Sequence, residues 1–214
     1  MERILGMTLL DLFVIIGTVA SAISGALMGI RKHLDFFGII VLGITTALGG
    51  GIIRDISLGL TPPKALLDPT FIFVSVFATA LVMSFPKKFT REAEKIAIFD
   101  AIGLAAYTAV GANIALHQPN TSTFLVVAIG VITGVGGGIL RDMFVQEIPL
   151  VFKKEIYATA SILGALALNF AQWFWGGIAP LYICFFVTLV LRLSAIYLDL
   201  HLPVVREPKQ VLPK

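Results

Sequence analysis

One motif occurs twice in this chain. It reads Gly49-Gly50-Gly51-Ile52-Ile53-Arg54-Asp55 the first time and Gly136-Gly137-Gly138-Ile139-Leu140-Arg141-Asp142 the second. Each copy closes an apolar run, Gly38 to Leu48 before the first and Phe124 to Val135 before the second. Three consecutive glycines are poor at continuing a helix, since each costs about 1 kcal/mol against alanine. An Arg-Asp pair beside an apolar run is costly to immerse in lipid. A segment with both features, present twice, predicts a broken helix that faces a protein interior or a wet cavity.

Composition makes lipid the relevant solvent. Of 214 residues, 57% are hydrophobic and 14% charged, with a mean hydropathy of +0.95. A soluble domain of this length carries roughly 25% charge, so the chain reads as an all-α integral membrane protein. Cys184 is the single cysteine and lies in an apolar run, which excludes a disulfide framework. His33, His117 and His201 are scattered and form no metal-ligand spacing. G-x-S-x-G, H-E-x-x-H and Walker A patterns are absent, so no enzyme and no cofactor is expected. The net charge of +3 belongs to loops at a membrane surface, with no nucleic-acid partner. Arg3, an apolar stretch and Ala20-Ser21-Ala22 imitate a signal peptide, but the apolar run continues to Ile30, long enough to span.

Seven spans are predicted at Thr8–Ile30, Phe36–Ile53, Thr70–Phe85, Ile96–Leu116, Thr123–Leu140, Ile156–Phe170 and Ile178–Leu200. Local chemistry marks several ends. Asp68-Pro69 reads as an N-cap followed by proline at the first helical position. Thr61-Pro62-Pro63 cannot continue a helix, and Gln118-Pro119-Asn120 is a turn. Trp173 and Trp175 before Gly176-Gly177 suit an interfacial turn. With this topology three basic residues (Arg3, Arg54 and Lys64) fall on one side and the other thirteen on the opposite side. The positive-inside rule then puts the N-terminus outside and the C-terminus in the cytoplasm. Residues 203–214, with three prolines, read as a flexible cytoplasmic tail.

Aligning Gly49 with Gly136 sets an offset of 87 that also pairs Arg54 with Arg141, Asp55 with Asp142, Thr46 with Thr133 and Pro62 with Pro149. Upstream, a two-residue difference in loop length brings Asp11 onto Asp100 and Ser24 onto Asn113. The chain divides into residues 1–95 (first three-helix repeat with its cytoplasmic loop), 96–175 (second repeat), 176–202 (seventh helix) and 203–214. Three spans is an odd number, so the repeats are expected upside down relative to each other, with a site at their interface.

The charges are expected to pair within each repeat, Asp11 with Arg54 and Asp100 with Arg141, which lowers the cost of ionised groups at membrane depth. Adjacent Arg and Asp are not expected to satisfy each other on a regular helix. Gly49, Gly50, Gly51, Gly136, Gly137 and Gly138 are expected to bend or unwind their helices and free carbonyls toward a cation. Asp55 and Asp142 are expected at the mouths of a polar path, with Ser24, Asn113, Thr46 and Thr133 as candidate polar pore groups. Gly25 and Gly29 suit close helix packing.

The doubled G-G-G-I-[IL]-R-D motif in two three-span repeats, with a seventh span, resembles the trimeric intracellular cation channels in their prokaryotic branch, over about residues 8 to 200. A related bacterial group with the same repeat is described as glycine transporters. The resemblance implies a homotrimer in a prokaryotic cell membrane, one pore per protomer lined by spans two and five, and potassium as the permeant ion. Animal members are described as binding a phosphoinositide through basic residues that have no match here. Thr133-Gly134-Val135-Gly136 only faintly imitates a T-V-G-Y-G filter, and in one repeat alone, so strong selection of potassium over sodium is not expected. A channel and a carrier that rocks one repeat against the other both remain open.

Overall fold

The computed structural model describes residues 3–4, 7–85, 93–153 and 156–199. The tail at 203–214 lies outside these, as do Lys87, Lys88 and Arg91. A two-residue strand pair, β1 (Arg3–Ile4) and β2 (Met7–Thr8), precedes the helices. Then follow α1 (Leu9–Arg31), α2 (Phe36–Ser57), α3 (Lys64–Leu67), α4 (Thr70–Ser84), α5 (Ala93–Leu116), α6 (Thr123–Phe144), α7 (Leu150–Lys153), α8 (Ala158–Phe174) and α9 (Ala179–Tyr197). The chain is an all-α membrane protein. Helices α1, α2, α5, α6 and α9 are long and apolar enough to cross a bilayer. Helices α4 and α8 are apolar but have only 15 and 17 residues, about 22 and 25 Å of rise.

Large apolar side chains cover the outside, while the interior combines apolar cores with buried polar and charged groups. Phe73, Phe77 and Phe124 are 70%, 72% and 82% exposed, whereas Thr108, Thr133 and Arg141 are fully buried. One core joins α1, α2 and α4 through Ala22, Leu27, Leu42, Ala78 and Val82. A second joins α5, α6, α8 and α9 through Ala106, Val110, Val126, Leu168 and Cys184, and takes in Phe13 of α1. Contacts of α1 with α5 and of α2 with α6 tie the two halves together. Gly25 and Gly29 make the expected close packing: a Cβ on Gly25 would strike the Thr46 hydroxyl and the Leu42 carbonyl, and one on Gly29 would press on Ile39.

The ends of α2 and α6 share a build at the 87-residue offset. Leu60 N–H bonds the Asp55 carbonyl (2.8 Å) and Gly59 N–H bonds that of Ile56 (3.0 Å). Glu147 and Gln146 do the same to Asp142 (2.8 Å) and Met143 (3.1 Å). This is the Schellman pattern, which places its C′ residue in the left-handed region. Gly59 sits there at φ +71°, and Gln146 at φ +57°, where a side chain costs roughly 1–2 kcal/mol.

Several boundaries run longer than the sequence suggests. Helix α2 reaches Ser57 and α6 reaches Phe144, a turn beyond the expected ends, because the Arg-Asp pairs are absorbed into the helices instead of ending them. The N-cap expected at Asp68 is displaced by one residue: α4 starts at Thr70, whose N–H bonds Asp68 Oδ1 at 3.0 Å.

Candidate functional site

The glycines do not unwind their helices. Both α2 and α6 stay helical from end to end, which corrects the expected broken turn and freed carbonyls. The glycines instead let the two helices cross backbone on backbone. A Cβ on Gly50 would fall on the Thr133 carbonyl oxygen, and one on Gly137 on the Thr46 carbonyl oxygen. The contact is reciprocal, and the α-hydrogens that replace those Cβ atoms point at the carbonyls. Cα–H···O contacts of this kind contribute about 0.5–1 kcal/mol each. The flanking glycines serve other faces. Gly49 makes room for Leu140, a Cβ on Gly136 would lie 3.1 Å from the Gly50 Cα, and one on Gly138 would lie 2.8 Å from the Tyr157 hydroxyl. Gly51 has open space, with only Arg54 Nη2 within reach of a Cβ there, at 3.8 Å.

Adjacent Arg and Asp do satisfy each other, against expectation. Arg54 Nε donates to Asp55 Oδ1 at 2.8 Å, and Arg141 Nε donates to Asp142 Oδ1 at 2.8 Å. The arginine side chain is long enough to curl back to its neighbour although the two leave the helix in different directions. The second carboxylate oxygen is used as well. Asp55 Oδ2 accepts the N–H of Lys64, the first residue of α3, at 2.9 Å. Asp142 Oδ2 accepts the N–H of Leu150, the first residue of α7, at 2.9 Å. Each aspartate therefore caps the short helix that follows its motif, a role its charge suits. Both are buried at 2% exposure with both oxygens engaged, so they anchor the loops that follow, and Asp55 also lines the small cavity beside Arg54.

Beyond this shared build the two copies differ. The expected Asp100–Arg141 pair is present at 2.5 Å, and Arg141 Nη1 also donates to Ser24 Oγ at 2.7 Å. Ser24 thus reaches from α1 to the end of α6, while Asn113, its counterpart, borders a cavity of about 290 Å³ with His117 and Gln172. In the first copy Asp11 meets Lys64 at 3.3 Å and Arg54 turns onto Asp55 at 2.7 Å, so the expected Asp11–Arg54 pair is replaced. Lysine enters because Lys64 opens α3 where Leu150 opens α7. The hydroxyls of Thr46 and Thr133 bond their own helices, to Leu42 and Ile129, both at 2.6 Å. It is their carbonyls that meet the glycines.

Two tyrosines belong to the site without any motif to announce them. Tyr107 donates to the Ala47 carbonyl (2.6 Å), shares a hydrogen bond with Thr18 (2.9 Å), and lies against Gly17. It borders a cavity of about 50 Å³ with Thr18, Gly51, Arg54 and Lys64, room for a few water molecules. The one signal in the sequence is a bulky polar residue in the small-residue run Ala105-Ala106-Tyr107-Thr108-Ala109. Tyr157 sits beside Gly138 in the second copy, its ring 4.8 Å from the Arg192 guanidinium. Asp100 Oδ2 and Arg141 Nη2 are buried there with no hydrogen-bond partner among the described residues.

The comparisons with known proteins agree with this duplicated build. A family model described as "Glycine transporter" matches the chain twice, at residues 11–87 and 97–173. The chain is 40% identical to the UPF0126 membrane protein of Vibrio cholerae, over 94% of this chain and 85% of that protein. It is 39% identical to the UPF0126 inner membrane protein YadS of Escherichia coli K12, over 88% and 92%. Among solved structures it is similar to a TRIC cation channel studied for the basis of conductance (TM-score 0.85, 38% identity, 94% of this chain and 99% of that one). It is also similar to the TRIC orthologue from Rhodobacter sphaeroides (TM-score 0.84, 31% identity, 91% and 100%). With both halves matched by one family model, and near-complete overlap with these channels, the chain belongs to the TRIC family of integral membrane proteins.

Proposed function

We propose that this protein is a potassium-permeable cation channel, assembled as a homotrimer with one pore per protomer. The pore runs along α2 and α6, which with α1, α4, α5 and α8 form two inverted three-helix repeats. Helices α4 and α8 complete seven spans with α9, and the C-terminus is cytoplasmic. Support comes from the similarity to solved TRIC cation channels and the two matches to one family model. The observation that carries the reading is the reciprocal crossing of α2 and α6 at Gly50 and Gly137, with a buried Arg-Asp pair beyond it on each helix. In this reading the backbone contact at the glycines is the closed state, and opening requires the two helices to part.

Purified protein in planar bilayers tests the reading. Unitary current steps, with a reversal potential in a potassium chloride gradient on the cation side, are the expected result. Potassium and sodium should differ little, because no ring of carbonyls is built into the crossing. One observation favours a carrier as the second reading: a cavity opens beside Arg54 while Arg141 is sealed, as in a state that exposes one end at a time. Saturable glycine uptake into liposomes without unitary currents would establish the carrier instead.

A further inference from the structure

Helix α9 stands outside both repeats, yet it contributes a buried cation. Arg192 is 3% exposed, and its Nε has no hydrogen-bond partner among the described residues. Its guanidinium lies over the Tyr157 ring at 4.8 Å, a stacking that fixes the plane while leaving the Nε edge free. Arg192 borders a cavity of about 360 Å³ together with Arg31, at the end of α1, and Glu94, in the first turn of α5. Helices α1, α5, α7 and α9 converge on it. The remaining lining is apolar, including Met28, Ile96 and Leu150.

A buried guanidinium with an unmet N–H is unfavourable. A second arginine at the same cavity makes the local field positive, and planar forks of this kind match carboxylate and phosphate oxygens. Glu94 opposes a doubly charged ligand and leaves room for a single negative charge. The apolar walls ask for an apolar body behind that charge. We propose that this cavity binds a singly charged anionic group carried on an apolar body, with Arg192 as the residue that grips the anion. Both a phosphodiester lipid headgroup and a free carboxylate amphiphile have this chemistry. The cavity meets the second motif end through Tyr157 and Leu150, and its occupancy is read without any measurement of flux.

The test is native mass spectrometry of the full chain in neutral detergent. The probes are phosphatidylglycerol, phosphatidylcholine with the same acyl chains, decanoate, and inorganic phosphate. Phosphatidylglycerol or decanoate should bind at least about tenfold tighter than phosphatidylcholine, the scale of one charge-assisted contact. R192Q should remove that preference, and R192K should restore part of it. Binding of phosphatidylglycerol alone identifies a lipid headgroup as the source, and binding of decanoate alone a free carboxylate. Equal affinity in wild type and R192Q, equal binding of phosphatidylcholine, or binding of inorganic phosphate alone would overturn the proposal. If R192Q fails to fold, R31Q at the exposed rim decides: it should weaken binding about threefold, and an unchanged affinity overturns the proposal.

Discussion

The six motif glycines do different work, and alanine at each one separates packing from bending. At Gly50 a new Cβ would land on the Thr133 carbonyl oxygen, which belongs to a helix backbone and cannot swing away. Gly137 meets the Thr46 carbonyl in the same way. Overpacking of this kind costs typically 1–3 kcal/mol, and alanine returns about 1 kcal/mol through helix propensity. Parting the helices also loses two reciprocal Cα–H···O contacts at about 0.5–1 kcal/mol each. The net for G50A or G137A is a destabilisation of roughly 1–4 kcal/mol by these terms. At Gly51 the nearest atom is Arg54 Nη2 at 3.8 Å, the far end of a flexible side chain. G51A therefore keeps the propensity gain of about 1 kcal/mol and meets no clash. Thermal unfolding in detergent, followed by loss of the monodisperse gel-filtration peak, should rank G51A above wild type and wild type above G50A and G137A. A common response of Gly49, Gly50 and Gly51 to alanine would refute the reasoning, because bending depends on the run of glycines and packing on each position.

Other expectations follow from the same contacts. R141Q strands Asp100 in a buried site and should cost about 3–5 kcal/mol, more than R54Q, whose variant leaves Asp55 still capping α3; comparative thermal stability checks the order, and D100N should recover part of the R141Q loss. Asn at Asp55 and Asp142 together should loosen α3 and α7 and lower stability while leaving cation preference intact, and a shifted reversal potential would return these carboxylates to the path. Gln146 sits at φ +57° where its counterpart is Gly59, so Q146G should stabilise by about 1 kcal/mol. Glu147 is held below the usual carboxylate range by hydrogen bonds from Lys32 and Lys153. With its folded value depressed, the clasp it forms is intact above its ordinary pKa and is lost as pH falls through the lower folded value. Hydrogen exchange in the α1–α2 loop should rise over that acid range, and E147Q should abolish the dependence.

Most of the architecture was legible because membrane burial writes a coarse signal. The starts of α2 and α6 fall where the apolar runs begin, and the motif offset of 87 carries through to matching Schellman ends. What escaped was local. Three glycines predict a break on propensity alone, because the sequence does not show the partner helix. Only the crossing shows that Gly50 and Gly137 are needed for a neighbouring carbonyl. Adjacent positions on a helix face apart, but a long, flexible arginine side chain curls back to its neighbour. Tyr107 and Tyr157 carry no motif, and their roles depend on long-range packing against Gly17 and Gly138.

The two copies of the motif make one local structure and two different environments. Arg-Asp contact, helix end and cap on the next short helix are repeated almost bond for bond, so the motif itself specifies a rigid corner. The difference lies in what approaches from outside. Asp100 and Ser24 close on Arg141, whereas Lys64 draws Asp11 away from Arg54 and a small cavity remains beside Tyr107. A buried charge with several partners is costly to move, and one with a single partner beside a cavity is less so. The first-copy end therefore has the lower barrier to rearrangement. K64M tests this: releasing Asp11 to Arg54 should tighten that end toward the build of the second copy. The expected readouts are a smaller open probability in bilayers and slower hydrogen exchange in α3. An increase in either would place the mobile end at Arg141 instead.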